Sequence, residues 1–253
     1  MKSYIKYSFI ILLFFFEKVL AQSWSPVGLG TNGPVFAFSV YNNELYVGGA
    51  FSMAGGIPAN RIAKWDGSTW SSLGAGLDGN VFSLSVYNGE LYAGGVFTTA
   101  GGNSAISVAK WNGSIWSAVG ANSMNAPVYA LIVYNGELYV GGQFYSGGSI
   151  YGGCLAKWDG STWSNISTGM SGIGPGPDVA VHSLAVYNSE LYASGSFTLT
   201  SGGPANYIAK WNGVSWSALG NNGLNAPAAA LNVYNSELYA GGSFSNAGGS
   251  PAS

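Results

Sequence analysis

The sequence predicts an all-β protein assembled from one repeated unit, and three observations predict it. The tripeptide Glu-Leu-Tyr returns at Glu44, Glu90, Glu137, Glu190 and Glu237, a period of about 47 residues. Apolar runs of strand length alternate with turns rich in Asn and Gly, and no segment carries the periodicity of a helix. Charged side chains make up 7% of the 253 residues against 15% aromatic ones, which gives enough apolar surface to offset the ordering of 40 glycines.

Each unit reads as four short strands. The first is the run Val35 to Tyr41, matched by Val81 to Tyr87, Val128 to Tyr134, Val181 to Tyr187 and Ala228 to Tyr234. A two-residue turn such as Asn88-Gly89 follows, because both central residues of a tight hairpin take positive φ. The second strand is Glu44 to Phe51, the third Arg61 to Trp65 and the fourth Trp70 to Leu73. The third-to-fourth connection also reads as a two-residue turn, at Asp66-Gly67 or Gly67-Ser68; either choice puts Trp65 and Trp70 on one face. Four antiparallel strands per unit, repeated about five times, predict a β-propeller over 22–253 whose last blade is incomplete. Trp24 to Gly28 matches a fourth strand without a blade of its own, and the next Lys-Trp falls just past Ser253. The sequence therefore reads as a fragment of a longer chain or as a propeller whose final blade has three strands.

Residues 1–21 read as a signal peptide, with Lys2 and Lys6 at its start, an apolar run from Tyr7 to Phe16 and small residues before Gln22. That run is too short to span a bilayer of about 30 Å as a helix, and no later stretch predicts a transmembrane segment. Removal of the leader takes three of the 8 basic residues and one of the 10 acidic ones, so the mature charge is 5 − 9 = −4. With Arg61 the sole arginine, nothing can neutralise a row of phosphates, and nucleic acid is excluded as a partner class. Export implies an oxidising compartment, yet Cys154 stands alone, so burial and backbone pairing must hold the fold.

Residues that return in every unit most economically serve the scaffold. All nine tryptophans fall in two anchors, Lys-Trp and Trp-Ser, and read as core between blades, with an exposed sugar-stacking platform as the alternative. After the leader, every lysine lies beside a tryptophan and every glutamate in Glu-Leu-Tyr. They read as ion pairs or turn partners within or between blades, the alternative being a carboxylate ring around a cation.

The segment from Glu44 to Phe51, then Ala54-Gly55-Gly56, then Ile62 to Gly67, carries a resemblance over essentially all of 24–253. Its Gly-Gly followed by a spaced Trp resembles the kelch-type blade, and the fuller pattern is similar to exported bacterial repeat proteins and to the fungal cortical polarity-marker propellers. The resemblance implies a propeller, a fold that hosts many functions. The copper site of galactose-oxidase-like relatives needs two histidines and a cysteine cross-linked to tyrosine, and His182 is alone. Sialidase-type propellers need several arginines. Asp78 and Asp178 remain as a carboxylate pair for glycoside hydrolysis, on loops two blades apart. No cofactor and no metal site is expected.

In an up-and-down meander the second-to-third and fourth-to-first connections share one end, and here they vary most: Ser52 to Asn60, Thr98 to Ser107, Tyr145 to Gly153 and Thr168 to Ala180. Arg61, Asp78, Tyr151, Asp178 and His182 lie on or beside that end and are the ligand-binding candidates. His182 replaces the aromatics Phe36, Phe82 and Tyr129 in register and also reads as a packing residue, while Cys154 reads as an incidental thiol. The expectation is an exported, non-catalytic module that binds an extracellular glycan or protein, or else an architectural segment of a larger surface protein.

Overall fold

A computed structural model of the chain describes residues 25–120, 124–147, 150–151, 153–166, 170, 179–200, 203–220 and 223–252. The signal peptide predicted at 1–21 and the candidate Asp178 lie outside them. Blade 1 pairs Val35–Tyr41, Glu44–Gly49, Ile62–Trp65 and Trp70–Ser72 as an antiparallel meander in chain order. Three further sheets repeat this order, beginning at Asn80–Tyr87, Val128–Tyr134 and Val181–Tyr187. Blade 5 pairs Ala228–Tyr234 with Glu237–Gly242. The result is the predicted all-β propeller architecture.

Two details differ from expectation. The first-to-second turn does take two residues, with Asn42 and Asn43 at φ 49° and 62° between the paired Tyr41 and Glu44. The third-to-fourth turn instead spans four, because Trp65 pairs with Trp70 and encloses 66–69. The Asp66 carboxylate closes it by accepting the backbone N–H of Ser68 and of Thr69 and the hydroxyls of both. These bonds hold the Asp66 carboxyl well below the ordinary carboxylate range. Asn112 and Asn212 accept the same two N–H groups in blades 2 and 4, so the sequence alternates Asp with Asn without changing the turn.

The second difference is a small ribbon inside each second-to-third connection. Met53–Ala54 pairs with Ile57–Pro58 around Gly55-Gly56, and the same ribbon stands at 99–104, 146–151, 199–204 and 246–251. Backbone bridges from Thr31 to Ala54, Leu77 to Ala100 and Leu224 to Ala247 tie it to the chain entering the same blade.

The core is a series of seams between consecutive blades. The first strands of neighbouring blades lie side by side, which makes the first strand axial and the fourth peripheral. One cluster joins Tyr41, Tyr46 and Ile62 of blade 1 to Val81, Leu84 and Leu91 of blade 2, and corresponding clusters fill the next three seams. Indoles fasten the first three of these seams. Trp116 Nε1 donates to the carbonyl of Leu73 (3.0 Å), Trp163 to Val119 (3.1 Å) and Trp216 to Ile166 (2.8 Å), each reaching back across the seam. Trp70 makes the same bond to Val27 (2.9 Å), so 25–30 supply blade 1 with what a preceding fourth strand supplies elsewhere.

The repeated charges are resolved within blades. Lys64 meets Glu44 at 2.8 Å, Lys110 Glu90 at 2.7 Å, Lys157 Glu137 at 2.9 Å and Lys210 Glu190 at 3.0 Å. Each pair bridges the second and third strands of one sheet. Half-exposed pairs of this kind contribute about 0–1 kcal/mol, so they favour register more than stability.

Candidate functional site

A bulge in every first strand sets the axial surface. The pairing of Val35 with Gly49 is followed by Ala37 with Gly48, which leaves Phe36 as the extra residue; Phe82, Tyr129 and His182 hold that place in blades 2 to 4. Their rings form a column, Phe36 to Phe82 at 5.5 Å, Phe82 to Tyr129 at 5.6 Å and Tyr129 to His182 at 5.8 Å. Burial lowers the His182 pKa, which favours the neutral imidazole. His182 is thus the last ring of this column.

Arg61 and Asp78 flank the seam between blades 1 and 2, where Leu77 N–H bonds the carbonyl of Asn60 at 3.1 Å. Arg61 holds φ 63° and donates Nη1 to the carbonyl of Phe51 at 3.1 Å. The Asp78 carboxylate accepts Thr98 N–H, Thr99 N–H and the Thr98 hydroxyl. Partial burial opposes its ionisation, but these bonds outweigh it and bring the carboxyl down to about 2. Asn32 accepts the N–H groups of Ser52 and Met53 in the same way, and Asn225 those of Ser245 and Asn246. Asp78 therefore fastens its ribbon as asparagine does in other blades. Tyr151 lies on the ribbon Ile150–Tyr151 of blade 3. Asp178 stands three residues before Val181, as Asp78 does before Val81.

This equivalence makes a pH prediction. A folded-state pKa below the unfolded value stabilises fully above about pH 3.9 and loses that contribution as pH falls towards 2. Asp78→Asn should leave the urea midpoint at pH 7 unchanged while flattening its fall between pH 4 and 2, as read by tryptophan fluorescence. An unaltered acid limb would refute the assignment.

Beside Asp78 a cleft of about 470 Å³ opens between blades 2 and 3 at the loop-rich end. Phe97, Thr98, Ile106 and Ser107 line it from blade 2 and Asn125, Ala126 and Pro127 from the chain entering blade 3. Ser107 stands where blade 1 has Arg61, blade 3 Cys154 and blade 4 Tyr207; Arg61, Ser107 and Tyr207 all hold φ near 60°. Tyr145 stands exposed, its N–H bonded to Oδ1 of the lining residue Asn125 at 3.0 Å. Ile106, Asn125 and Tyr145 were not among the sequence candidates. Tyr145 has a sequence signal, since it replaces the Ser or Thr that follows the conserved Phe in every other repeat.

Burial pushes the Cys154 thiol up to about 12, so it offers no thiolate. Among the described residues no three His, Cys, Asp or Glu side chains gather at one point.

The sequence profile of the Rax2 C-terminal beta propeller domain matches residues 18–217. The chain belongs to this family. The likeness of the blade motif to fungal cortical-marker propellers is supported by that match. No functionally curated protein matches the sequence. Among solved structures, the computationally designed Ika8 protein superposes with a TM-score of 0.46 at 13% identity, over 83% of this chain and 68% of that one. The designed Ika4 protein gives 0.43 at 15%, over 75% and 98%. No helix among the described residues is long and apolar enough to cross a membrane.

Proposed function

We propose that this chain is an exported, non-catalytic binding module that holds an extracellular glycan in the cleft between blades 2 and 3. The cleft itself carries this reading, being an opening between two blades at the loop-rich end, where the connections vary most. Its lining suits a sugar. Ile106 and Pro127 offer apolar surface to ring C–H groups, Thr98 and Asn125 offer hydrogen-bonding groups to hydroxyls, and Tyr145 offers a face for stacking. The non-catalytic reading is supported by the four Lys–Glu pairs among the described residues, which neutralise four of the five recurrent glutamates, and by the buried Cys154. Arg61, Asp78 and His182 enter as parts of the frame that shapes this end.

Ser107→Arg tests the proposal, because blade 1 already accommodates arginine at that backbone conformation. On a glycan array followed by titration of the strongest hit, the variant should lose roughly tenfold or more in affinity at unchanged thermal stability. An array without hits at high protein concentration would overturn the glycan and point to a protein partner. Binding that survives Ser107→Arg would remove the cleft.

A further inference from the structure

The turns between third and fourth strands share one geometry in blades 1 to 4 and differ at two positions. Asp66-Gly67-Ser68, Asn112-Gly113-Ser114, Asp159-Gly160-Ser161 and Asn212-Gly213-Val214 occupy them. The first residue must accept two backbone N–H groups, a task that a carboxylate and an amide oxygen perform alike. The third residue is exposed and varies between serine and valine. The turn therefore does not choose between Asp and Asn at the one position, nor between Ser and Val at the other. Of the four, blade 2 alone combines Asn with Ser, and that combination is the acceptor triplet Asn-X-Ser for an N-linked sugar.

The fold presents this triplet to solvent. Asn112, Gly113 and Ser114 are all exposed. Asn112 Oδ1 accepts the N–H groups of Ser114 at 2.9 Å and Ile115 at 3.0 Å, which fixes the amide plane and leaves Nδ2, the atom that carries a sugar, without a partner among the described residues. Ile115 is 63% exposed where blades 1 and 3 place Thr69 and Thr162, and it gives the C–H face of a first sugar an apolar surface to rest on. The turn also lies at the end of the blade opposite the cleft. A Cβ on Gly113 would stand 3.9 Å from Tyr41 Oη, whose own bond runs to Gly89 in the first-to-second turn of blade 2. A glycan here leaves the loop-rich end open.

The second triplet, Asn165-Ile166-Ser167, has the opposite setting. Asn165 ends the fourth strand of blade 3 and is half-buried, and Ser167 lies outside the described residues. Ile166 is buried in the seam to blade 4, where its carbonyl accepts Trp216 Nε1 at 2.8 Å. An oligosaccharide on Asn165 would part this seam.

We propose that Asn112 is an N-glycosylation site of the exported protein and that Asn165 is left bare. In the transfer, Nδ2 forms a bond to C1 of an oligosaccharide carried on a membrane lipid diphosphate. The C1–O bond breaks, the lipid diphosphate departs with the electron pair, and the amide gives up one proton. The inference rests on the exported reading proposed above, because the donor serves chains that enter the secretory pathway.

The test is expression of the full chain with its own leader in a eukaryotic secretory host, the exported protein being read by peptide mass spectrometry before and after peptide-N-glycosidase. A glycan should be present at Asn112, and its enzymatic removal should leave aspartate there. Asn112→Asp should abolish it while melting as the deglycosylated wild type does, since Asp66 and Asp159 close the same turn. Asp66→Asn and Val214→Ser each complete the triplet on an equivalent turn, so each should add one further glycan. An exported chain bare at Asn112, or occupied at Asn165, would overturn the inference; equivalent turns that stay bare would overturn the part given to the turn. A chain that its own leader fails to export breaks the exported reading alone, and the same chain behind the leader of a secreted protein then decides Asn112.

Discussion

Trp116→Ala is expected to destabilise the protein by about 3–5 kcal/mol, the range for emptying a buried aromatic site. The indole packs against Trp111 with centroids 5.4 Å apart and is buried at the seam between blades 1 and 2. It also satisfies the buried carbonyl of Leu73 at 3.0 Å, which alanine would leave without a donor. Trp116→Phe separates the two contributions. It keeps most of the packing and loses the N–H, so it should cost about 1–3 kcal/mol. Chemical denaturation at neutral pH checks both. If alanine and phenylalanine cost the same, the carbonyl bond dominates and the packing account fails.

Gly94→Ala is expected to cost about 1–3 kcal/mol through overpacking, because its Cβ would stand 2.6 Å from Val128 Cγ1 and 3.2 Å from Leu131 Cγ. Val128→Ala alone opens a void at a fully buried position and is also destabilising. Together the two place small side chains at both positions, as Ser194 and Ala228 do at the same registers in the fourth and fifth units. The double variant should therefore be more stable than the sum of the singles by at least about 1 kcal/mol in a double-mutant cycle. Strict additivity would show that these residues do not meet across the seam.

The repeat made the blade legible, since strands of adjacent units align residue by residue and Val35–Tyr41 runs as the sequence predicts. The enclosed turn at 66–69 was misread because Asp-Gly is also the signature of a two-residue hairpin, and the carboxylate bonds that favour the longer loop involve Ser68 and Thr69 beyond it. Pairs as short as Met53–Ala54 with Ile57–Pro58 show no alternation, so the ribbon passed for a loop. Asp78 and Asp178 stood out only while Asp and Asn were counted as different; Asn32, Asp78, Asn125, Asp178 and Asn225 share one register. The cleft could not be read from the pattern at all. It is lined by residues far apart in sequence, Thr98 to Ser107 on one side and Asn125 to Pro127 on the other, which meet only once two blades are set side by side.

Genes with tandem units gain and lose copies by unequal crossing-over, and the Ser194–Ala228 exchange restricts which products can fold. A recombinant that joined the fourth unit to any valine-headed unit would press a serine into that valine, and one that placed Ala228 after a glycine-bearing unit would leave a hollow. The fourth and fifth units thus match each other at this register, whereas the first three are interchangeable there.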